Sequence, residues 1–218
     1  MKIKPVLHYS LFIFALLLVL PVTQASANCA DVRVVVFGDS LVAGYGLPPG
    51  KAFPEQLSQA LQGKSSSIDV INAGVSGDTT SGGLSRLEWS VGDGADIVVL
   101  ELGANDALRG IPVEITRKNL DAMISRLKSA SIEIVLAGML APPNMGKKYG
   151  DAFNAIYPEL AEKHEIKLYP FFLEGVATDP QFNQDDGIHP NPEGVQVMVK
   201  NFMPALDSVL EKVCARKL

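Results

Sequence analysis

Short runs of β-branched and apolar residues alternate along the chain with longer stretches that carry apolar residues at three- and four-residue steps. The short runs predict strands, and several are continuously apolar, as in strands buried on both faces. The longer stretches predict amphipathic helices. This alternation predicts one α/β domain with three α/β/α layers around a central parallel five-stranded sheet. The predicted strands are Val32–Phe37, Ile68–Asn72, Ile97–Leu102, Ile132–Ala137 and Ile166–Tyr169.

Two of the predicted helices begin at or just behind a proline, a residue well suited to the first helical turn. One follows Pro112, and the other follows Asn191-Pro192 and continues towards the C-terminus. Pro204 lies inside the second pattern. Because proline lacks an N–H group and clashes with the preceding turn, we expect it to kink or break that helix.

The N-terminal segment has the pattern of an export signal. Lys2 and Lys4 precede an apolar run, Leu11–Val22, and residues 25–27 (Ala-Ser-Ala) form a small-residue cleavage site. The run is shorter than the roughly 20 residues of a membrane-spanning helix. We therefore predict a signal peptide over residues 1–27, cleaved after Ala27, and a periplasmic or secreted domain over residues 28–218. The alternative is a lipoprotein with lipid attached to Cys29.

The charge balance is acidic, with 19 Lys and Arg against 24 Asp and Glu and a formal net charge of −5. An acidic chain is poorly suited to neutralise phosphates, which argues against a general nucleic-acid binder. No cluster of Cys and His suggests a zinc site, and Gly50-Lys51 lacks the spacing of a phosphate-binding loop. We expect no cofactor, no metal, no stable membrane insertion after cleavage, and a monomer.

Polar residues flanked by glycine follow three of the predicted strands. GDSL (residues 38–41) follows the first strand, GVSGDT (residues 74–79) the second and GAND (residues 103–106) the third. A fourth polar loop, between the last strand and the last helix, contains Asp186 and His189. The loops after parallel strands meet at one edge of a sheet, where ligands bind. We therefore expect these four loops to lie close together.

The residue types in these loops are those of acyl-transfer catalysis. Ser40 supplies a nucleophile, His189 a general base, and Asp186 a carboxylate that orients the imidazole. The backbone N–H groups of Ser40 and Gly77, with the side-chain amide of Asn105, supply donors for an oxyanion hole. Taken singly, each motif is also typical of a turn or a helix cap. Their occurrence in this order at one sheet edge favours catalysis.

The four blocks resemble the SGNH, or GDSL, hydrolase family, which carries a serine in GDS, a glycine, an asparagine in Gly-x-Asn-Asp and a histidine in Asp-x-x-His. Gly74 competes with Gly77 for the second block, and we prefer Gly77 because SGDT resembles the block of the periplasmic branch. Ala104 departs from the glycine that near relatives often carry. The resemblance covers essentially the whole chain after residue 27. It is greatest to the bacterial periplasmic thioesterase/protease/lysophospholipase and arylesterase branch.

The resemblance implies a flavodoxin-like SGNH hydrolase fold and an enzyme that cleaves carboxylic esters and thioesters through an acyl-enzyme on Ser40. Aryl esters, acyl thioesters and lysophospholipids are the implied substrates. It also implicates the loop after Asn105 in acyl binding, although apolar residues there are equally typical of local core. The candidate substrate-binding residues are Leu108, Arg109, Gly110, Ile111 and Pro142.

The chain has two cysteines, Cys29 before the first strand and Cys214 near the end of the last helix. That helix is predicted to start beside His189 and run back across the sheet, about 30 Å for 20 residues. Both sulfurs are then expected at the edge opposite the catalytic residues. We predict a disulfide between Cys29 and Cys214, as is common in exported proteins.

The sequence leaves two other functions open. A carbohydrate acetylesterase on the same fold would have identical catalytic residues and a different pocket. A non-catalytic periplasmic binding protein would use the glycine-rich loops to hold an anion. That function explains the strand-end glycines, but it does not explain Ser40, Asn105 and the Asp-x-x-His motif together.

Overall fold

Five parallel strands form the centre of the domain in a computed structural model that describes residues 31–62 and 67–217. In chain order the strands are β1 (Val32–Gly38), β2 (Ile68–Gly74), β3 (Ile97–Glu101), β4 (Glu133–Ala137) and β5 (Lys167–Tyr169). They are arranged in the sheet as β2-β1-β3-β4-β5. The predicted five-stranded parallel sheet is confirmed, and each strand end lies within two residues of its predicted position.

Helices cover both faces of this sheet, as the alternating pattern predicts. The α-helices of the described residues are α1 (Ser40–Ala43), α2 (Phe53–Gln62), α3 (Thr80–Val91), α4 (Ala104–Leu108), α5 (Val113–Ser129), α6 (Lys147–Asn154), α7 (Ile156–His164) and α8 (Pro192–Lys217). A short 3₁₀ turn spans Pro143–Met145. Helices α2 and α8 pack against each other in one layer, and α3, α5 and α7 pack in the other. The three-layer α/β/α fold is therefore confirmed.

The central strands β1 and β3 are the most thoroughly buried. Every residue of β3 is buried, and so is every residue of β1 except Arg33. Helices pack on both faces of a central strand, so the apolar residues run continuously instead of alternating with polar ones. One residue breaks this rule: Glu101, the last residue of β3, is a carboxylic acid with no solvent exposure.

The strand order reverses at β1, because the chain passes from β1 to β2 on one side and then returns to β3 on the other. In register, Gly38 pairs with Gly74 of β2, and Phe37 pairs with Leu100 of β3. The carboxyl ends of the three strands therefore lie side by side. Ligands bind in the crevice that opens at such a switch point.

The last helix, α8, was predicted to follow Asn191-Pro192 and begins at Pro192 itself, and the Asn191 side chain caps it by accepting from the Gly194 N–H group at 2.9 Å. The expected break at Pro204 is wrong, since the helix continues to Lys217. Pro204 faces solvent, so water can satisfy the carbonyl that loses its N–H partner. Buried apolar residues on both sides of the proline hold the helix against the sheet.

Two of the sequence predictions fall on residues outside the described ranges. The signal peptide over residues 1–27 is one, and the cysteine pairing is the other, because Cys29 also lies outside these ranges. Cys214 is disulfide-bonded, and its pairing with Cys29 stays a prediction. Over residues 31–62 and 67–217, the helices are all too short or too polar to cross a bilayer.

Candidate active site

Ser40 lies where β1 ends, at the first residue of α1. Asp39 caps this short helix by accepting a hydrogen bond from the Leu41 N–H group at 3.0 Å. The cap turns the chain sharply, so that Ser40 points out of the sheet edge while Asp39 is fully buried. The GDSL stretch is thus a strand-to-helix turn that presents a hydroxyl at the switch point.

His189 is within hydrogen-bonding distance of Ser40, although 149 residues separate them. Its Nε2 atom lies 2.9 Å from the Ser40 Oγ atom, and its Nδ1 atom lies 2.7 Å from the Asp186 Oδ2 atom. The other carboxylate oxygen of Asp186 accepts from the backbone N–H groups of Ile188 and His189, at 2.9 and 3.0 Å. The structure therefore brings the three predicted side chains into one chain of hydrogen bonds.

The hydrogen bonds to Asp186 set its ionisation. The backbone N–H group of His189 is the largest cause, followed by the His189 side chain, and together they lower the pKa of Asp186 to about 2. The carboxylate is therefore ionised near neutral pH and can only accept. It accepts a hydrogen bond from the Nδ1–H group of His189, which leaves Nε2 without a proton and able to accept from the Ser40 hydroxyl.

The loop that carries His189 is held by Gln184, which sequence analysis missed. The Gln184 side-chain amide donates to the carbonyls of Tyr45 and Pro190, at 2.8 and 3.0 Å. The Tyr45 ring also lies against the His189 ring, with centroids 4.7 Å apart. No sequence pattern points to these contacts, because Tyr45 and Gln184 meet only in the folded chain.

The three predicted oxyanion-hole donors are the Ser40 and Gly77 N–H groups and the Asn105 side chain, and Ser40 and Asn105 line the same cavity. Gly77 is the third residue of a turn closed by the Asp78 N–H to Val75 carbonyl bond (3.1 Å), and its φ of 80° is the value for which a type II turn requires glycine. Among the described residues, no group accepts a hydrogen bond from either backbone amide. Both amides are therefore available to a ligand.

Gly74, the competing glycine, has a different reason to be glycine. It ends β2, and its N–H group donates to the Asn72 side chain at 3.0 Å. A Cβ atom there would lie 2.2 Å from the backbone nitrogen of Ala43, so only glycine lets α1 pack on β2. Its amide is engaged, whereas the amide of Gly77 is free.

An apolar cavity of about 190 Å³ opens beside Ser40, His189 and Asn105. Two of the predicted substrate-binding residues, Leu108 and Pro142, are part of its wall. Its apolar side chains are Leu41, Ala104, Leu108, Met139, Leu140, Pro142, Leu173 and Ile188. Leu173 and Ile188 are additions that sequence analysis missed, since neither lies in a loop that was expected to bind the acyl chain.

The other three predicted substrate-binding residues lie outside this wall. Arg109 donates to the Gly77 carbonyl at 2.9 Å, and the Ile111 carbonyl accepts from the Tyr149 hydroxyl at 2.9 Å. Gly110 faces Met145. These residues join the loop after α4 to its neighbours, and only Leu108 turns its side chain to the cavity.

Residues 36–197 match the GDSL-like Lipase/Acylhydrolase family. The chain belongs to this family. An arylesterase from Vibrio mimicus is 45% identical over 177 residues, which is 81% of this chain and 88% of that protein. Thioesterase 1/protease 1/lysophospholipase L1 of Escherichia coli K12 is 42% identical over 197 residues, which is 86% of this chain and 88% of that protein.

The crystal structure of the psychrotrophic esterase EstA from a Pseudoalteromonas species, inhibited by monoethylphosphonate, matches with a TM-score of 0.78. It is 30% identical, and the match covers 83% of this chain and 100% of that one. This chain is therefore a serine esterase of the GDSL/SGNH hydrolases, and the alternative of a non-catalytic binding protein is wrong.

Two buried acids, Asp39 and Glu101, lie behind the nucleophile of this SGNH hydrolase. The Asp39 carboxylate accepts from the Asn105 side chain at 3.0 Å, and the backbone N–H group of Asp39 donates to Glu101 Oε2 at 3.2 Å. Burial raises the pKa of Asp39 to about 6, against the lowering effect of the bonds from Leu41 and Asn105. Asp39 thus accepts a hydrogen bond from the Asn105 amide, and the bonds that stabilise its negative charge only partly offset the effect of burial.

Glu101 has no solvent exposure, and its Oε1 atom has no hydrogen-bond partner in the described part of the chain. Burial, and then the neighbouring charge of Asp39, raise the pKa of Glu101 well above its ordinary value. A buried ionised carboxylate with one unpaired oxygen costs far more free energy than a neutral acid, so burial favours the protonated form of Glu101. Sequence analysis passed over this residue, although a glutamate in an otherwise apolar strand was the available signal.

Proposed function

We propose that Ser40 is the nucleophile of this esterase, that His189 is its general base and acid, and that Asp186 orients His189. The observation that carries the proposal is the hydrogen-bond chain in which Nε2 lies 2.9 Å from Oγ and Nδ1 lies 2.7 Å from the carboxylate. These are the distances at which a base takes the proton of a hydroxyl nucleophile.

The reaction has two halves with the same proton path. His189 Nε2 takes the Ser40 proton while Oγ bonds to the carbonyl carbon, whose oxygen becomes an oxyanion. The C–O or C–S bond to the leaving group then breaks, and His189 gives its proton to the departing alcohol or thiol. Water repeats the attack on the acyl-enzyme, and the acid product leaves with Ser40 restored.

We infer that the Ser40 and Gly77 N–H groups and the Asn105 side chain form the oxyanion hole. The two free backbone amides and the single bond used by the Asn105 amide, which leaves its second N–H available, support this assignment. Three donors fixed before reaction stabilise the developing charge without reorganisation. Removing one donor should lower kcat about 100- to 1,000-fold.

We infer that the acyl part of the substrate occupies the apolar cavity and that the leaving group points to solvent. The cavity wall supports a hydrocarbon chain rather than a sugar ring, because few polar groups face it apart from the catalytic ones. Aryl esters, acyl thioesters and lysophospholipids, the substrates named in the relatives, share such an acyl part. Carbohydrate acetylesterase activity is the second candidate, and comparing acetylated sugars with longer acyl esters separates the two.

We also propose that the protein is exported through its signal peptide, which is cleaved after Ala27. The mature protein then acts as a monomer in the periplasm or outside the cell. The export pattern at the N-terminus supports this proposal. N-terminal sequencing of the exported protein should begin at Asn28, and light scattering should give the mass of one chain. A lipid-modified Cys29 at the N-terminus would contradict it.

Labelling with a fluorophosphonate, followed by mapping of the modified peptide, tests the proposed nucleophile. The expected result is a covalent adduct on Ser40 that is absent from Ser40→Ala and strongly slowed in His189→Ala. An adduct on another serine of the folded protein would refute the assignment.

A further inference from the structure

Arg86, on α3, reaches the ends of the two strands that carry the proposed backbone donors. Its Nη2 atom donates to the carbonyl of Gly38 in β1 at 2.9 Å, and its Nη1 atom donates to the carbonyl of Ala73 in β2 at 2.9 Å. The side chain is only 15% exposed. A single guanidinium therefore bonds two adjacent strands just before the loops that contain Ser40 and Gly77.

The same guanidinium also bonds to the loop that contains Gly77. Its Nε atom donates to the Asp78 carboxylate at 2.7 Å, and Asp78 directly follows Gly77. Nη1 has a second acceptor, the Ser90 hydroxyl, at 3.1 Å, and the guanidinium carbon lies 4.0 Å from the centre of the Phe37 ring. All three nitrogens are engaged, which only the planar fork of arginine allows.

Gly82 leaves the space that the Asp78 carboxylate occupies. A Cβ atom at this position would lie 2.0 Å from Asp78 Oδ1. Gly82 is inside α3, where an alanine would be the better helix former, so helix stability does not explain the glycine. The glycine instead lets Asp78 fold back over α3 and meet Arg86.

We propose that Arg86 is a positioning residue that fixes the spacing between the Ser40 and Gly77 amides, the two backbone donors of the oxyanion hole. The inference rests on the proposed function. Gly38 is two residues before Ser40, and Asp78 is one residue after Gly77, so bonds from one rigid group to both leave little freedom between the amides. A misplacement of about 1 Å in such a site costs on the order of 100-fold in rate.

Two substitutions disturb this link in different ways. Arg86→Lys keeps the charge and loses the fork, and Gly82→Ala pushes the Asp78 carboxylate away while leaving Arg86 intact. Arg126→Lys is the matched control, because Arg126 is half exposed and pairs with Glu88 on the protein surface. We expect kcat for a p-nitrophenyl ester to fall about 100-fold in Arg86→Lys and about 10-fold in Gly82→Ala, with KM within about threefold of the unmodified enzyme.

Affinity for an alkyl trifluoromethyl ketone separates positioning from general support. This inhibitor adds to a serine nucleophile and forms an oxyanion in the hole, so its Ki should rise by the same factor as kcat falls. The acid limb of the pH–rate profile should stay in place, because the His189–Asp186 pair is untouched. A folded Arg86→Lys enzyme with unchanged kcat, or with lowered kcat and unchanged Ki, would overturn the proposal.

Two further results complete the test. If Arg86→Lys does not fold, Gly82→Ala decides, and normal kcat and Ki in that variant would overturn the proposal. The fluorophosphonate adduct on Ser40 of the unmodified enzyme is measured in parallel. Its absence would refute the proposed function itself, whereas its presence with unaffected variants refutes only the role of Arg86.

Discussion

The nucleophile and the base of this site are held in place in opposite ways. Ser40 follows a fully buried aspartate, Asp39, whose contacts come from the ends of other elements: Glu101 of β3 and Asn105 of α4. His189 lies in an exposed loop, and its partner Asp186, with a side chain 39% exposed, is only three residues away. Buried contacts between distant parts of the chain thus position Ser40, and hydrogen bonds within one loop position His189.

Because of this difference, we expect substitutions in the two regions to have different effects on activity and on stability. Changes in the histidine loop remove few buried contacts, so they should affect activity much more than the free energy of unfolding. Changes behind the nucleophile disturb buried polar groups, so they should affect the free energy of unfolding as well as the rate. Each substitution below tests that separation.

The largest effect is expected from His189→Ala. Removing the base from a Ser–His–Asp unit costs about a millionfold in kcat in a well-studied hydrolase, and a similar loss is expected here. The melting temperature should fall by only a few degrees: the His189 side chain is 19% exposed and loses its contacts with Asp186 and Tyr45, but the backbone bonds that hold the loop remain. Esterase assays and thermal denaturation measure the two effects. Asp185→Ala, the exposed neighbour in the same loop, is the control and should retain full activity.

Asp186→Asn should lower kcat about 10,000-fold. Asparagine can donate to Nδ1, so it favours the tautomer whose Nε2 atom already carries a proton and cannot accept one from Ser40. Because the folded pKa of Asp186 is lowered to about 2, the stability it contributes is present above its ordinary pKa of 3.8 and is lost as pH falls towards 2. Because Asp186 is ionised throughout pH 5 to 8, its own titration should add no pH dependence to the kinetic loss in that range. A normal rate would show that the carboxylate has no part in setting the tautomer.

Asn105→Ala is expected to lower kcat about 100- to 1,000-fold and to destabilise the fold more than either of the two preceding variants. The alanine deprives the oxyanion of one donor and deprives the buried Asp39 carboxylate of another. Loss of a hydrogen bond to a buried group costs about 1–3 kcal/mol in the free energy of unfolding. Urea denaturation and steady-state kinetics measure the two losses. An unchanged unfolding curve would contradict the proposed difference between the two regions.

The same contrast explains how much the sequence could predict. The sheet and the four polar loops follow from local patterns, because strand ends in a parallel sheet meet at one edge. The spacing of Asp186 and His189 is likewise local. Gln184, Glu101 and Arg86 escaped prediction, since each acts through contacts with residues far away in the chain.

Side-chain direction was the other limit of sequence reasoning. The loop after Asn105 was expected to bind the acyl chain, yet only Leu108 of its residues 108–111 faces the cavity. Arg109 and Ile111 instead form bonds that join neighbouring loops. Pro204 was expected to interrupt α8, but it faces solvent, so water can bind the carbonyl that lacks an N–H partner and the helix continues. Neither direction can be read from residue type alone.

Glu101→Gln should change activity least of these variants, and its effect should be on how the free energy of unfolding depends on pH. Burial, and then the neighbouring charge of Asp39, raise the folded pKa of Glu101 above the ordinary 4.5. Above pH 4.5 the unfolded chain releases this proton while the folded chain retains it, so the protein loses stability as pH rises from there towards the folded pKa. Glutamine is neutral at every pH and avoids that loss. The variant should therefore be more stable than the unmodified protein at pH 7, and the difference should shrink to a constant below pH 4.

Urea denaturation between pH 4 and pH 8 measures this difference, and Glu88→Gln is the control. Glu88 lies on α3 with its side chain 82% exposed, so the stability difference for that variant should hardly depend on pH. Activity of Glu101→Gln should stay within about threefold, because the amide oxygen can still accept from the Asp39 N–H group. A variant that is less stable at pH 7 than at pH 4, relative to the unmodified protein, would mean that Glu101 is ionised. Glu101 would then act in the buried region as an ionised acceptor of the Asp39 N–H group rather than as a neutral acid.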